Sequence, residues 1–132
     1  MVIFIIDNKN TLTMGNVKKT FYKSLPQDAK PIPDYPTYYA TPDGKIWRDH
    51  KNRVAEILPH KRRSTYYQVQ PFVNNKRVVR YVHRLVLSAF KGKCPDGYEC
   101  HHKDHNPSNN HISNLQWTTV FKNRSVYKRK KP

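Results

Sequence analysis

Histidine and asparagine side chains are concentrated in one stretch, residues 98–123, which reads YECHHKDHNPSNNHISNLQWTTVFKN. His101 and His102 are adjacent, and the polar run that follows them has no large apolar residue before Ile112. An imidazole has a pKa close to neutral pH and can remove a proton from water, and imidazole and amide groups can also bind a divalent cation. A loop so rich in these groups is typical of a functional site rather than of a hydrophobic core.

Two β-prone runs and a helix are expected to position these side chains. Residues 98–102 and 115–118 are short strand-like segments that can pair as a hairpin across the polar loop. Thr118 or Thr119 can then cap a helix over about residues 120–127, whose last turns carry Lys and Arg, as the helix dipole favours. The expected order is therefore strand, loop, strand, helix.

This arrangement resembles the HNH endonucleases with the ββα-metal fold, in particular their phage and intron-encoded homing branch. The resemblance implies that His102 is the general base and that His101, just before it, is a metal ligand. It also implies that Asn114, twelve positions after His102, is the central asparagine of the motif, and that Asn123 is a second metal ligand on the helix. Asn114 is interpreted as a brace that ties the loop backbone and so aims His102. The implied activity is hydrolysis of phosphodiester bonds in double-stranded DNA with the help of a divalent metal.

The metal is expected to be a single ion, in the first instance Mg²⁺. Two-metal nucleases need clustered carboxylates, and only Glu99 and Asp104 lie near the motif. His101 stands where the resembling family often has Asp, and an imidazole also suits Mn²⁺ or another transition metal. Because neighbouring residues on a strand face opposite sides, one histidine of the pair should bind the metal while His102 takes the proton, unless the strand is bent.

The net charge indicates the class of partner. Lys and Arg number 25 against 9 Asp and Glu, which gives a formal charge of +16. Such an excess favours a polyanion, here double-stranded DNA, over the alternatives of a ribosomal-type or membrane-surface protein, because no long basic amphipathic helix is present to lie on a membrane. The candidate DNA contacts are Lys61, Arg62, Arg63, Gln68, Gln70, Lys76, Arg77, Arg80 and Arg84.

The expected fold class is α+β, with an N-terminal antiparallel β meander followed by the small ββα-metal nuclease motif. Residues 1–29 are left unassigned, residues 30–82 form a β-rich DNA-binding accessory module, and residues 83–132 form the catalytic region with a basic C-terminal tail. A two-stranded ribbon over residues 66–82 fits the width of the major groove, although a solvated sheet face without base contacts is an equal alternative. The predicted elements upstream of the motif are strands over 2–6, 38–41, 45–47, 54–58, 66–73 and 77–82, and helices over 21–25 and 83–90.

Turn signals separate the predicted strands. Pro42-Asp43-Gly44 and Asn74-Asn75 are both expected to close hairpins, because Gly and Asn accept the positive φ that tight turns require.

Several polar residues near the motif have a structural interpretation. His83 at the start of the helix is expected to be a structural histidine bonded to the backbone, and His105 and His111 are expected to be exposed loop residues. The pair Asn109-Asn110 is expected to shape turns rather than to bind metal.

The two cysteines, Cys94 and Cys100, do not form a disulfide framework, and no secretory signal is evident, so an intracellular location is expected, the bacterial host cytoplasm if the chain is phage-encoded. A structural zinc site at the two cysteines remains an alternative. Two alternatives to a homing-type nuclease also remain: a DNA-binding protein with a degenerate nuclease site, and a nickase associated with packaging or restriction.

Overall fold

The computed structural model describes residues 4–6, 11–14, 20–51 and 53–122, the first two ranges by their backbone. Over these residues the fold is α+β, as expected, with a large antiparallel sheet, smaller two-stranded sheets and an α-helix. The strands of the large sheet are β1 (Phe4–Ile6), β2 (Thr11–Met14), β3 (Thr20–Tyr22), β4 (Lys30–Pro31), β5 (Tyr38–Ala40), β6 (Ile46–His50) and β7 (Arg53–Ile57). Their spatial order in the sheet is β1-β2-β3-β7-β6-β5-β4.

The predicted hairpin at Pro42-Asp43-Gly44 is confirmed and joins β5 to β6. The Thr41 N–H donates to the Lys45 carbonyl at 3.0 Å, and the Gly44 N–H donates to the Thr41 carbonyl at 3.0 Å. Gly44 has φ +90°, a conformation that only glycine adopts without strain. The Trp47 indole N–H donates to the Thr41 hydroxyl at 3.1 Å and fixes the base of this turn.

The short helix predicted over residues 21–25 is wrong, because residues 20–22 form strand β3. This strand pairs with β2 and also with β7, where Tyr22 lies opposite Val54. Phe21 is buried, and the Tyr22 ring meets the Trp47 ring edge-on with centroids 5.3 Å apart. Both aromatic side chains thus pack on the sheet, and this tertiary contact outweighs the local helical tendency of so short a segment.

The long ribbon predicted over residues 66–82 is also wrong in part, since it is broken into two short pairs. Strand β8 (Gln68–Val69) pairs with β11 (Arg80–Tyr81), and β9 (Phe72–Val73) pairs with β10 (Lys76–Arg77). Pro71 interrupts the first strand because it has no N–H to donate to a ladder, although its carbonyl accepts from the Val78 N–H at 3.0 Å. The predicted turn at Asn74-Asn75 is confirmed, with φ of 50° and 61°.

Helix α1 (Val82–Lys91) supplies the centre of the hydrophobic core. It extends the helix predicted over residues 83–90 by one residue at each end and stops at Gly92, whose φ is +82° and whose N–H donates to the Ser88 carbonyl at 3.1 Å. No helix in the described ranges is long and apolar enough to cross a membrane. The core unites the helix with the large sheet and the C-terminal hairpin, and its buried members are Ile32, Tyr38, Ala40, Ile46, Val69, Val82, Leu85, Val86, Leu87 and Leu115.

The C-terminal hairpin has the predicted form. Strand β12 (Tyr98–His102) pairs antiparallel with β13 (Leu115–Thr119), and a short 3₁₀ turn (Ile112–Asn114) precedes the second strand. The Trp117 indole N–H donates to the Gly92 carbonyl at 3.1 Å and anchors the hairpin to the end of α1.

Helical backbone follows at residues 120–122, and the Thr119 hydroxyl accepts from the Lys122 N–H at 3.2 Å, as a helix cap does. The rest of the predicted helix, including Asn123, lies outside the described residues.

Candidate active site

His102 lies at the end of β12, where the strand meets helix α1. Its side chain is only 3% exposed, and its ring centroid lies 4.8 Å from that of His83. The Tyr66 ring stacks on it at 5.9 Å with an interplanar angle of 15°. The Nε2 atom of His102 is 2.9 Å from the Oδ1 atom of Asn110. The predicted base is therefore held by two rings and one amide.

His83 is buried beside His102, which the sequence did not indicate. Its ring also contacts those of Tyr66 at 5.0 Å and Tyr81 at 5.5 Å. Burial, with smaller contributions from His102 and Arg84, lowers the pKa of His83 from 6.5 to about 3. His83 is thus uncharged at neutral pH. The backbone hydrogen bond expected for it is not made by Nδ1, which is buried and has no hydrogen-bond partner among the described residues.

Asn114 ties the loop between β12 and β13 into a fixed shape. Its Nδ2 donates to the Asp104 carboxylate at 2.9 Å and to the Asn109 carbonyl at 2.9 Å. Its Oδ1 accepts from the Asp104 N–H at 3.0 Å, and its carbonyl accepts from the Lys103 N–H at 2.8 Å. These hydrogen bonds hold in place the residues that directly follow His102, as expected of a brace.

Asp104 is the second centre of this loop, although no specific role was expected for it. Its carboxylate accepts from the Asn109 amide at 2.8 Å and from the Asn106 N–H at 2.8 Å, in addition to Asn114. The hydrogen bonds from Asn109 and then from Asn106 are the main causes that hold the pKa of Asp104 below its ordinary value. The spacing of Asp104 and Asn106, two residues apart, was the available signal, since Asp and Asn side chains bond the backbone two residues on.

His101 faces away from His102, as strand alternation requires. It lies opposite Gln116 in the hairpin, is half-buried, and meets the His105 ring edge-on at 5.2 Å. The expectation that His105 is an exposed loop residue is wrong, because packing against His101 half-buries it, whereas His111 is exposed as expected.

The donor set around His101 is chemically suited to a divalent metal but is small. Imidazole groups of His101 and His105 lie together, and no group of three or more His, Cys, Asp or Glu side chains that could hold a metal occurs within the described ranges. The other implied ligand, Asn123, lies outside those ranges. Of the two implied ligands, His101 is the one that the structure describes, and an ion held there would stabilise negative charge on a phosphate.

The two cysteines are engaged in separate contacts. The Cys94 thiol donates to the Tyr98 carbonyl at 3.1 Å, and the Cys100 thiol donates to the His83 carbonyl at 3.7 Å. Burial raises the pKa of Cys100 to about 12, so its thiol is protonated at neutral pH, whereas zinc binds the thiolate. Zinc at this place would also need further donors, and in the part of the chain that the structure describes neither cysteine belongs to a group of three such donors.

The basic loop over residues 61–63 adjoins the candidate active site. The Lys61 ammonium lies 4.5 Å from the centroid of the Tyr67 ring and donates to the Ser108 hydroxyl of the loop after His102. Arg62 and Arg63 are exposed. The residues of this loop that are predicted to contact phosphate therefore lie beside the loop that follows the predicted general base, His102.

The remaining candidate DNA contacts lie on the two short strand pairs, at Gln70 between β8 and β9, and on α1. The Arg80 Nε donates to the Tyr35 hydroxyl at 2.5 Å, and the Arg77 guanidinium donates to the Gln70 carbonyl at 3.0 Å. Arg84 is exposed and lines, with Arg80, an open groove of about 530 Å³. Lys76 is exposed and Gln68 and Gln70 are half-buried.

Known proteins resemble this chain in sequence and in fold. Residues 80–124 match a sequence model described as HNH endonuclease. An HNH endonuclease of Acanthamoeba polyphaga mimivirus is 30% identical over 89 residues, which cover 67% of this chain and 22% of the viral protein.

A solved structure described as "DNA binding and cleavage by the HNH homing endonuclease I-HmuI" is similar in fold, with a TM-score of 0.67 and 24% identity, over 79% of this chain and 59% of that one. The chain thus spans less than two thirds of either protein. The matched segment contains His102 and Asn114 in the hairpin described above. Residues 80–124 of this chain are therefore similar in sequence to the HNH endonucleases.

Proposed function

We propose that the chain is a metal-dependent endonuclease that hydrolyses phosphodiester bonds of double-stranded DNA. The observation that carries this proposal is the buried His102, held at the end of β12 by Asn110 and two rings, within residues that match HNH endonucleases. The mimivirus relative is named as an HNH endonuclease, and the protein of similar fold is described as binding and cleaving DNA.

His102 is the general base in this proposal and takes a proton from the attacking water. His101 and Asn123 are the residues that would hold the divalent ion, with Mg²⁺ as the first choice and Mn²⁺ as a substitute. The bound ion supplies stabilisation of the charge that develops on the phosphate and on the leaving oxygen. Asn114 keeps the residues after His102 in place through its bonds to Asp104 and Asn109.

Exposed cations supply the affinity for DNA. The chain carries a formal charge of +16, and Arg62 and Arg63 are exposed beside Lys61, which contacts the active-site loop. Neutralising phosphates releases counterions and gives binding that needs no base contact. Arg80 and Arg84 are two further cations, and both line the groove next to α1.

Cleavage of a supercoiled plasmid tests the proposal. The protein is incubated with plasmid in Mg²⁺ or Mn²⁺, with EDTA as the control, and a gel separates nicked, linear and intact forms. We expect cleavage that EDTA abolishes, and the ratio of nicked to linear product distinguishes a nickase from an enzyme that cuts both strands. Intact plasmid with every metal, together with a normal gel shift, would instead support a DNA-binding protein with a degenerate site.

A further inference from the structure

We infer that Asn110 is a positioning residue that fixes the tautomer of His102, and that the Gly44 turn of the N-terminal sheet holds Asn110 in place. Since this role serves DNA cleavage, it rests on the function proposed above. Asn110 was expected only to shape a turn, yet its side chain contacts the predicted base directly.

The chemistry of the contact defines the tautomer. The Oδ1 atom of Asn110 is a carbonyl oxygen and can only accept a hydrogen bond, so the His102 Nε2 that lies 2.9 Å away must carry the proton. In a neutral imidazole the other nitrogen, Nδ1, is then the acceptor. The base would thus present Nδ1 to a water molecule.

Burial strengthens this contact. His102 is 3% exposed and Asn110 is 8% exposed, so bulk water has little access to compete for the hydrogen bond. The rings of Tyr66 and His83 restrict the plane of the His102 ring by packing. Packing alone does not distinguish the two tautomers, which have almost the same shape, whereas an acceptor at Nε2 does.

Asn110 in turn is held by the β5-β6 turn. A Cβ atom placed on Gly44 would lie 2.6 Å from the Asn110 carbonyl oxygen and 2.9 Å from the Asn110 Cβ, closer than such atoms approach. The Pro42 carbonyl accepts from the Ile112 N–H at 2.8 Å and fastens the same loop two residues further on. Gly44 therefore permits a backbone approach that any other residue would prevent.

These contacts form a continuous series from the N-terminal sheet to the base. The turn at Gly44 touches Asn110, and Asn110 bonds His102. The large sheet consequently supports the proposed base, and a change in its hairpin turn should alter the rate of cleavage without touching any group that reacts.

The tautomer can be read directly by NMR. Long-range ¹H–¹⁵N spectra of the free protein are recorded at a pH where the imidazole is neutral, and the His102 signals are assigned by their loss in His102→Gln. We expect wild type to show the Nε2–H tautomer, Asn110→Asp to keep it because the acceptor remains, and Asn110→Leu to lose it. A wild-type His102 with its proton on Nδ1, or Asn110→Leu with an unchanged tautomer, would overturn the inference.

Kinetics test the consequence for catalysis. In single-turnover cleavage, Asn110→Leu should be about 10- to 100-fold slower than wild type with unchanged DNA affinity, and Asn110→Asp should recover part of the loss. Equal rates for wild type and Asn110→Leu would refute the positioning role.

Gly44→Ala has a matched control in Gly92→Ala. Gly44 has φ +90° and Gly92 has φ +82°, so both substitutions strain the backbone, but a Cβ on Gly92 meets nothing within 4 Å. At a temperature where both variants are folded, Gly44→Ala should cleave about 10- to 100-fold more slowly and show a disturbed His102 signal, while Gly92→Ala should cleave like wild type. Equal cleavage by the two variants would overturn the role of the turn.

The proposed nuclease function and the proposed role of Asn110 can be refuted independently of each other. Wild-type protein that cleaves no DNA would refute the proposed nuclease function. The NMR measurement needs neither DNA nor metal, so it decides the Asn110–His102 contact in either case.

Discussion

At the scale of single residues, the site depends on an imidazole enclosed by aromatic rings and an amide. His102 and Asn114 were predicted from their order in the sequence, and the structure gives them the burial and hydrogen bonds described above. His83 and Asn110 were not assigned to the site. Their nearness to His102 arises from the packing of α1 and of the loop after β12, and no spacing in the sequence encodes such contacts.

The low pKa of His83 predicts a loss of stability in acid. Because its pKa is about 3 in the folded protein against 6.5 in the unfolded chain, the folded state binds fewer protons below pH 6.5. The contribution of His83 to the free energy of unfolding is therefore complete above pH 6.5 and should fall by about 2 kcal/mol between pH 7 and pH 5. Urea unfolding at both pH values measures this. His83→Gln should lose less stability than wild type over that interval, and an equal loss would contradict the assignment.

The proposed metal ligands, His101 and Asn123, give a second prediction at this scale. His101→Ala and Asn123→Ala should each raise the Mg²⁺ or Mn²⁺ concentration needed for half-maximal cleavage, because each removes one ligand. His101→Asp should be tolerated, since a carboxylate is a good ligand for these ions. Titration calorimetry with Mn²⁺ provides the independent measurement, and identical binding by wild type and both Ala variants would show that the ligands lie elsewhere.

At the scale of elements, local patterns predicted the segments whose ends carry clear signals. Gly92 ends α1, Gly44 and the Asn74-Asn75 pair close hairpins, and the strands of the C-terminal hairpin match their β-prone runs. The failures lie where tertiary contacts decide the structure. Phe21 is drawn into β3 by burial, and the ribbon over residues 66–82 breaks at Pro71.

The broken ribbon still offers side chains that can read bases. If its strand pairs lie in a DNA groove, replacing Gln68, Gln70 or Arg80 with Ala should change which sequences are cut, because these groups can bond base edges. Lys76→Ala is the matched control, since an exposed lysine that contacts phosphate should weaken all sequences alike. Sequencing the ends cut from a randomised library measures the effect. A pattern indifferent to the three replacements would mean that the strand pairs do not read sequence.

At the scale of the whole molecule, the large sheet and the HNH segment share a core. Tyr38 and Ile46 from the sheet pack with Val86 of α1 and Leu115 of β13. The sequence predicted successive β-rich and catalytic regions, but it could not show that they pack together, since hydrophobic periodicity identifies the buried face of an element and not its neighbour.

The net charge predicts how the molecule holds DNA. The logarithm of the binding constant should fall linearly with the logarithm of salt concentration, with a slope of about −0.9 per phosphate neutralised. Replacing Arg62 and Arg63 together with Ala should make the slope shallower by about 1 to 2 and weaken cognate and random duplexes equally. Fluorescence anisotropy across a salt series measures both effects. A slope near zero for the wild-type protein would contradict the claim that phosphate contacts supply the affinity for DNA.

The most direct test of the central claim is the rate of DNA cleavage by His102→Ala. Single-turnover cleavage is measured in saturating metal together with the dissociation constant for DNA, and His50→Ala, which changes an exposed histidine on β6, is the control. If His102 is the general base, its removal should slow cleavage by about 10²- to 10⁴-fold while DNA affinity and the control rate stay at wild-type values. Wild-type cleavage by His102→Ala would contradict the account.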